Sequence, residues 1–209
     1  ANSYKHLQLM INNTDHKNLK KFVLPLALIF AFYGYCMSFG DKETDLTRYF
    51  EMVNQMTGKS LNYIISIDTE NLYTKDILFY FVEKTQDVHI LPFLVGLIIY
   101  GIVFYILFDK VQNSKRKFKT SEILMLAIIS IGIISPYSII GNVRCILAYS
   151  IITLAIYRDL VQNKRNLLTL LLYIIPLGLH TSAILIIVMR ILSAVLNKFR
   201  KTSIVIALT

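Results

Sequence analysis

Two apolar runs, Phe22 to Gly40 and Ile90 to Phe108, contain no charged side chain. As helices rising about 1.5 Å per residue, each reaches roughly 28 Å, the hydrocarbon thickness of a bilayer. Both predict simple crossings. A third apolar stretch, Ile123 to Tyr157, is interrupted at Ser135-Pro136-Tyr137 and again at Gly141-Asn142. Proline removes a helix donor and clashes with the preceding turn, so the pattern predicts a helical hairpin with short arms, its turn recessed below the membrane surface. Leu167 to Asn197 repeats the theme, with Pro176, Gly178 and His180 in its middle. It reads either as one broken helix or as a re-entrant hairpin, and the basic cluster that follows favours the hairpin. Thr202 to Thr209 begins another apolar run. With Ala and not Met at position 1, this run suggests a piece of a longer multi-span protein.

Between the first two runs, residues 41–89 are polar and carry two amphipathic patterns. Thr44 is placed to cap a helix over Asp45 to Thr57 with Leu46, Tyr49, Phe50 and Val53 on one face and Gly58 past its end. Thr74 is placed to cap a second, with Ile77, Leu78, Phe81 and Val82 apolar and Asp76, Glu83 and Lys84 polar. Helices of this kind lie along a membrane surface. The pattern as a whole predicts an all-α fold. Residues 1–209 form one polytopic integral membrane helix bundle with short broken or re-entrant helical hairpins.

Composition agrees and narrows the options. The chain is 55% hydrophobic and 17% charged, too apolar for a soluble domain of this length. The net charge of +9 is unevenly distributed. Basic residues predominate in 1–21, 109–122, 158–166 and 190–201, and acidic ones in 41–89. The positive-inside rule therefore puts the basic blocks in the cytoplasm and 41–89 outside. The basic blocks are topology determinants near anionic lipid and give no reason to expect nucleic acid as a partner. Cys36 and Cys145 lie far apart in apolar sequence and read as buried free thiols. No Gly-rich phosphate loop, HExxH, GxSxG or metal-spaced cluster is present.

Arg144, Arg190 and His180 are the ionisable residues that break the later apolar runs. An arginine at the centre of a membrane helix costs about 2.5 to 3.5 kcal/mol, so each marks a candidate function. Arg190 reads as an anchor snorkelling to the cytoplasmic surface. Arg144 follows the Gly141-Asn142 break at the start of the returning arm, where free N–H groups and the helix dipole favour an anion. Its alternative is a hairpin-tip arginine that reaches headgroups or caps a neighbouring helix. His180, beside Thr181 and Ser182, can accept a proton near neutral pH or simply pack. Asp45, Arg48 and Tyr49 share one side of the first loop helix, either as a solvated face or as a wall of an outward cavity also formed by Arg144 and His180.

Three patches resemble the EpsG-type exopolysaccharide polymerases, relatives of the Wzy O-antigen polymerases. They are Thr44-Asp45 followed by Tyr49-Phe50, Arg144 followed by Leu147-Ala148, and His180-Thr181-Ser182-Ala183. With the order of spans, the resemblance covers about residues 22–197. It implies a bacterial plasma-membrane glycosyltransferase that joins oligosaccharide repeat units carried on undecaprenyl diphosphate at the outer face, beside other polysaccharide-export proteins, with no nucleotide sugar, metal or other cofactor. On that reading Arg144 stabilises the departing diphosphate and His180 serves as base. Asp45 is the alternative base or a sugar contact, Tyr49 stacks on a sugar ring, and Arg48, Asn142 and Ser182 contact substrate. A lipid-linked-oligosaccharide transporter and a membrane ligase or acyltransferase remain open beside it.

Overall fold

The computed structural model describes residues 16–37 and 45–207, and every regular element among them is helical. A 3-10 stretch, His16–Phe22, leads into α1 (Val23–Cys36). Three helices follow in the polar segment: α2 (Asp45–Gln55), α3 (Leu61–Ile67) and α4 (Tyr73–Lys84). The long α5 (Ile90–Gln112) precedes α6 (Thr120–Ile133), α7 (Pro136–Gly141) and α8 (Val143–Ile156), which ends in a π-helical turn, Tyr157–Val161. Next come α9 (Leu167–Ile174), a 3-10 turn at Ile175–Gly178, and α10 (Ala183–Ala207), which continues through Lys198, Arg200 and Lys201. Three stretches, Asn18–Cys36, Ile90–Gln112 and Thr120–Ile139, are long and apolar enough to cross a membrane.

α1 and α5 form an antiparallel pair because small residues let their backbones approach. A Cβ added at Gly34 would lie 2.6 Å from the Pro92 carbonyl oxygen, and one at Gly96 would lie 3.0 Å from that of Phe30. Ala27 and Ala31 are buried in the same seam, the small-residue packing that suits helices in lipid. Phe30 and Tyr100 stack with ring centroids 4.0 Å apart. Lys20 pairs with Asp109 at one end of the pair, and Tyr35 donates to Asp87 at 2.8 Å at the other.

The proline and glycine punctuation produces reversals. Tyr100 donates to the carbonyl of Ile134 at 2.7 Å, so α6 ends level with a point about ten residues, roughly 15 Å, below the start of α5. Ser135 caps α7 by accepting from the Ser138 N–H at 3.2 Å, with Pro136 in the first turn where its missing donor does no harm. α8 then runs back until the Tyr157 hydroxyl, at 2.5 Å, and the Gln162 amide, at 2.9 Å, both donate to Asp109. The stretch 167–197 also reverses. Arg158 donates to Asn166 and Thr169 at its beginning, and Arg190 returns to Asp159, one residue further on. Arg190, expected to reach headgroups, is thus held by a carboxylate at the end of α8, with Nε 2.8 Å from Asp159 Oδ2.

The polar segment corrects two expectations. Around α2 the pattern holds, with Leu46, Tyr49 and Val53 buried and Gly58 at φ +75° in the turn that follows. Thr44 and its expected cap lie outside the described residues. In α4, however, the buried face is Lys75, Asp76, Phe79 and Val82, whereas Ile77 and Phe81 are exposed. No side chain caps α4. The cause is electrostatic, since Lys75 and Asp76 find partners inside. The cysteines are free as expected, but Cys36 is exposed and Cys145 half-buried. Large apolar side chains cover the outside of the bundle, among them Leu124, Leu185 and Met189, each more than 60% exposed.

Candidate functional site

Arg144 is the second residue of α8, and the polar segment that carries α2 to α4 folds over it. Its Nε donates to the Tyr49 hydroxyl at 2.7 Å, and its Nη1 donates to Glu70 Oε2 at 2.8 Å. The guanidinium carbon also lies 5.2 Å from the Tyr49 ring centroid. The Tyr49 hydroxyl in turn donates to Asp45 at 3.2 Å, and Asp45 pairs with Arg48. Tyr49 is only 4% exposed and tilts against Phe79, so its ring is fixed by packing while its hydroxyl links α2 to α8. Asp45, Arg48, Tyr49 and Arg144 therefore do come together.

Glu70 reaches Arg144 because of a tight link between α3 and α4. Asp68 accepts from the backbone N–H groups of Glu70 at 3.3 Å and Leu72 at 2.7 Å, while Asn71 takes a left-handed backbone at φ 55°, which asparagine tolerates. The turn points Glu70 and Asp68 at Lys75, whose ammonium donates to Asp68 at 2.9 Å and Glu70 at 3.3 Å and lies 3.5 Å from Asp76. The Arg144 hydrogen bond holds the Glu70 carboxyl below the usual glutamate range. Burial pushes Asp76 up. Burial also pushes the Tyr49 phenol up, and Arg144 only partly offsets it. For Lys75 burial acts downward, but the neighbouring carboxylates prevail and raise its pKa.

A second set sits at the other reversal. Pro176 accepts from the N–H groups of Leu179 and His180, both at 3.1 Å, which turns the chain. His180 Nδ1 then receives the Ser182 backbone N–H at 3.2 Å and lies 2.7 Å from Ser182 Oγ, which is itself 2.7 Å from the Tyr149 hydroxyl. A backbone N–H donating to Nδ1 puts the proton of the neutral ring on Nε2. The lone pair that can take a proton is thus the one facing Ser182. Tyr149 follows Arg144 by five residues along α8, so both sets hang on the same half of that helix. They also meet through α4. A Cβ on Gly178 would lie 2.8 Å from the Thr74 nitrogen, next to Lys75.

No direct hydrogen bond joins Arg144 to His180 among the described residues, so six of the seven expected residues form two neighbouring sets and not one, and Asn142 joins neither. Asn142 is exposed at the start of α8, and its side chain does not cap the helix. Sequence reasoning missed Glu70, Lys75, Asp68 and Tyr149. The available signal was a lone lysine among carboxylates in residues 68–76. Among the described residues no group of His, Cys, Asp and Glu is arranged to hold a metal ion. No family model matches the chain, and neither a curated protein nor a solved structure does.

Proposed function

We propose that this chain is a polytopic bacterial plasma-membrane enzyme, a lipid-carrier-dependent glycosyltransferase that polymerises undecaprenyl-diphosphate-linked oligosaccharide repeat units into exopolysaccharide, capsule or O-antigen. In this reading residues 1–21 face the cytoplasm, the stretches 123–157 and 167–197 are hairpins opening outward, and 45–89 covers them from outside. The observation that carries it is the seating of Arg144. A half-buried guanidinium stands at the start of α8, oriented by Tyr49 and held by a partly exposed Glu70 that an incoming anion can replace.

The chemistry follows from the residue types. An acceptor sugar hydroxyl attacks the anomeric carbon of the donor sugar, a new glycosidic C–O bond forms, and the bond to the diphosphate breaks. Arg144 neutralises charge developing on the departing undecaprenyl diphosphate. The hydroxyl proton passes to Ser182 Oγ as the Ser182 proton passes to His180 Nδ1. Tyr149, bonded to the same Oγ, keeps that hydroxyl oriented. Asp45 and Arg48 line the approach through Tyr49, and other polysaccharide-export proteins take up the product.

Replacing Arg144 or His180 by Ala should abolish polymer in cells while the protein stays inserted and single repeat units accumulate outside. Normal chain lengths in both variants would reject the assignment. Repeat units trapped on the cytoplasmic side would identify a transporter instead.

A further inference from the structure

A groove of about 640 Å3 runs along the bundle between α1 and α5 on one side and α8 and α9 on the other. Its walls are apolar, formed by Leu24 and Ala27 of α1, Ile98 and Gly101 of α5, Leu154 of α8 and Leu168 of α9. The α5 wall, Leu97 to Tyr105, is about 12 Å long at about 1.5 Å per residue. Leu24, Ile98 and Leu168 are each more than a third exposed, so the groove opens sideways, toward lipid in a chain this apolar. Gly101 leaves room in it, because a Cβ added there would meet nothing nearer than the Ala27 Cβ, 3.9 Å away.

One end of this apolar groove is basic. Arg158 lines it near the end of α8, where it donates from Nε to Thr169 Oγ1 and from Nη2 to Asn166 Oδ1, both at 3.3 Å. Those acceptors are neutral, and among the described residues no carboxylate pairs with Arg158. Its bonds to the first turn of α9 draw the guanidinium toward that end while its stem lies along the groove, as long cationic side chains do at a membrane surface. Lys20 stands at the same end, its ammonium 5.5 Å from the ring centroid of Tyr105, and pairs with Asp109. Asp159, next to Arg158 in the chain, is shared by Arg165 and Arg190. Both carboxylates are thus already taken, and the guanidinium of Arg158 is left to attract an anion. A second apolar helix in the groove would leave that charge unanswered. An amphiphile with an apolar tail and an anionic head answers both, as in basic pockets between membrane helices that hold acidic headgroups.

We propose that this groove holds one anionic phospholipid, with an acyl chain along Ala27 and Gly101 and its phosphate beside Arg158. Binding does not depend on the polymerase reading. Only the leaflet rests on the orientation given above, which draws the lipid from the cytoplasmic side. The site is separate from the one assigned to the lipid-linked donor, since Arg144 and Arg158 stand at opposite ends of α8.

The test is native mass spectrometry of the full chain in detergent, titrated with phosphatidylglycerol or with phosphatidylcholine of the same acyl chains. Phosphatidylglycerol should be retained one per chain and about fivefold more tightly, the factor that one cation beside an acidic headgroup supplies. Arg158→Gln should erase that preference, and Gly101→Leu, which fills the groove, should weaken both lipids. Arg116→Gln, a change of the same kind in the α5–α6 loop, should alter neither. If Arg158→Gln does not fold, as judged by helical circular dichroism, Gly101→Leu and the contrast between the two lipids decide. Equal retention of the two lipids would overturn the proposal, as would binding unchanged in Gly101→Leu or a loss in Arg116→Gln as large as in Arg158→Gln. Displacement of the lipid by glycerol phosphate alone would reduce the site to a headgroup contact, and a dimer carrying no lipid would give the groove to a second copy. Either result would overturn it. None of these readouts involves polymer, so the polymerase reading stands or falls separately.

Discussion

Replacing Asp159 by Asn should strand Arg190 and loosen the second reversal. The two side chains are 9% and 15% exposed, and Arg190 reaches Asp159 through both Nε and Nη2. Removing one member of a buried pair costs about 3 to 5 kcal/mol, because the remaining charge is left uncompensated. Here the lower end applies, about 3 kcal/mol, since Arg190 retains some access to solvent. Arg165 also bonds Asp159 but is 72% exposed, so its share is small. Replacing both residues, with Asp159→Leu and Arg190→Met, should recover most of the loss, because a well-packed apolar pair replaces a desolvated ionic one. The assay is equilibrium unfolding of the purified protein in detergent, arranged as a double-mutant cycle of Asp159→Leu, Arg190→Met and the two combined, with a coupling of about 2 kcal/mol or more. Single losses below about 1 kcal/mol with no coupling would mean that Arg190 is a free anchor. The return of α10 onto α8 would then lack its main polar tie.

Gly178→Val should push the 3-10 turn off Thr74, lowering the melting midpoint and reducing polymer while Arg144 keeps its partners; an unchanged midpoint would show that the contact is loose. The Glu70 carboxyl, held down by Arg144, adds stability that is present above the unfolded glutamate value and is lost as pH falls through its depressed folded value. Melting midpoints measured across the acid range should therefore drop less steeply in Glu70→Gln, and parallel curves would refute the coupling. Cys36 should react with a small maleimide in detergent well before Cys145, as their exposure dictates.

Much of the architecture was readable from the chain because few forces set it. Nineteen-residue apolar runs must be helices in a bilayer, and Pro136 and Pro176 must interrupt them. Arg144 stood out because it is a charge in an apolar run, and Tyr49 because it lies on the apolar face of its helix beside Asp45 and Arg48. Glu70 did not, since nothing local distinguishes it from the other loop acids. Its role comes from a contact with a residue 74 positions away. The face of α4 was misread for a related reason. Hydrophobic periodicity assumes that charges seek water, but the buried Lys75 bonds Asp68 and Glu70 and lies 3.5 Å from the buried Asp76, leaving Ile77 and Phe81 outward. Arg190 was assigned to the surface because it opens the basic block 190–201, and nothing local in the sequence pairs it with Asp159.

The account depends on both reversals opening toward the outer face of the membrane. Asn142 and Thr181 are exposed neighbours of Arg144 and His180, and each can be replaced by Cys in a chain lacking Cys36 and Cys145. A membrane-impermeant maleimide added to intact spheroplasts should label both positions. Labelling of either one only after the membrane is opened to the cell interior would contradict the account.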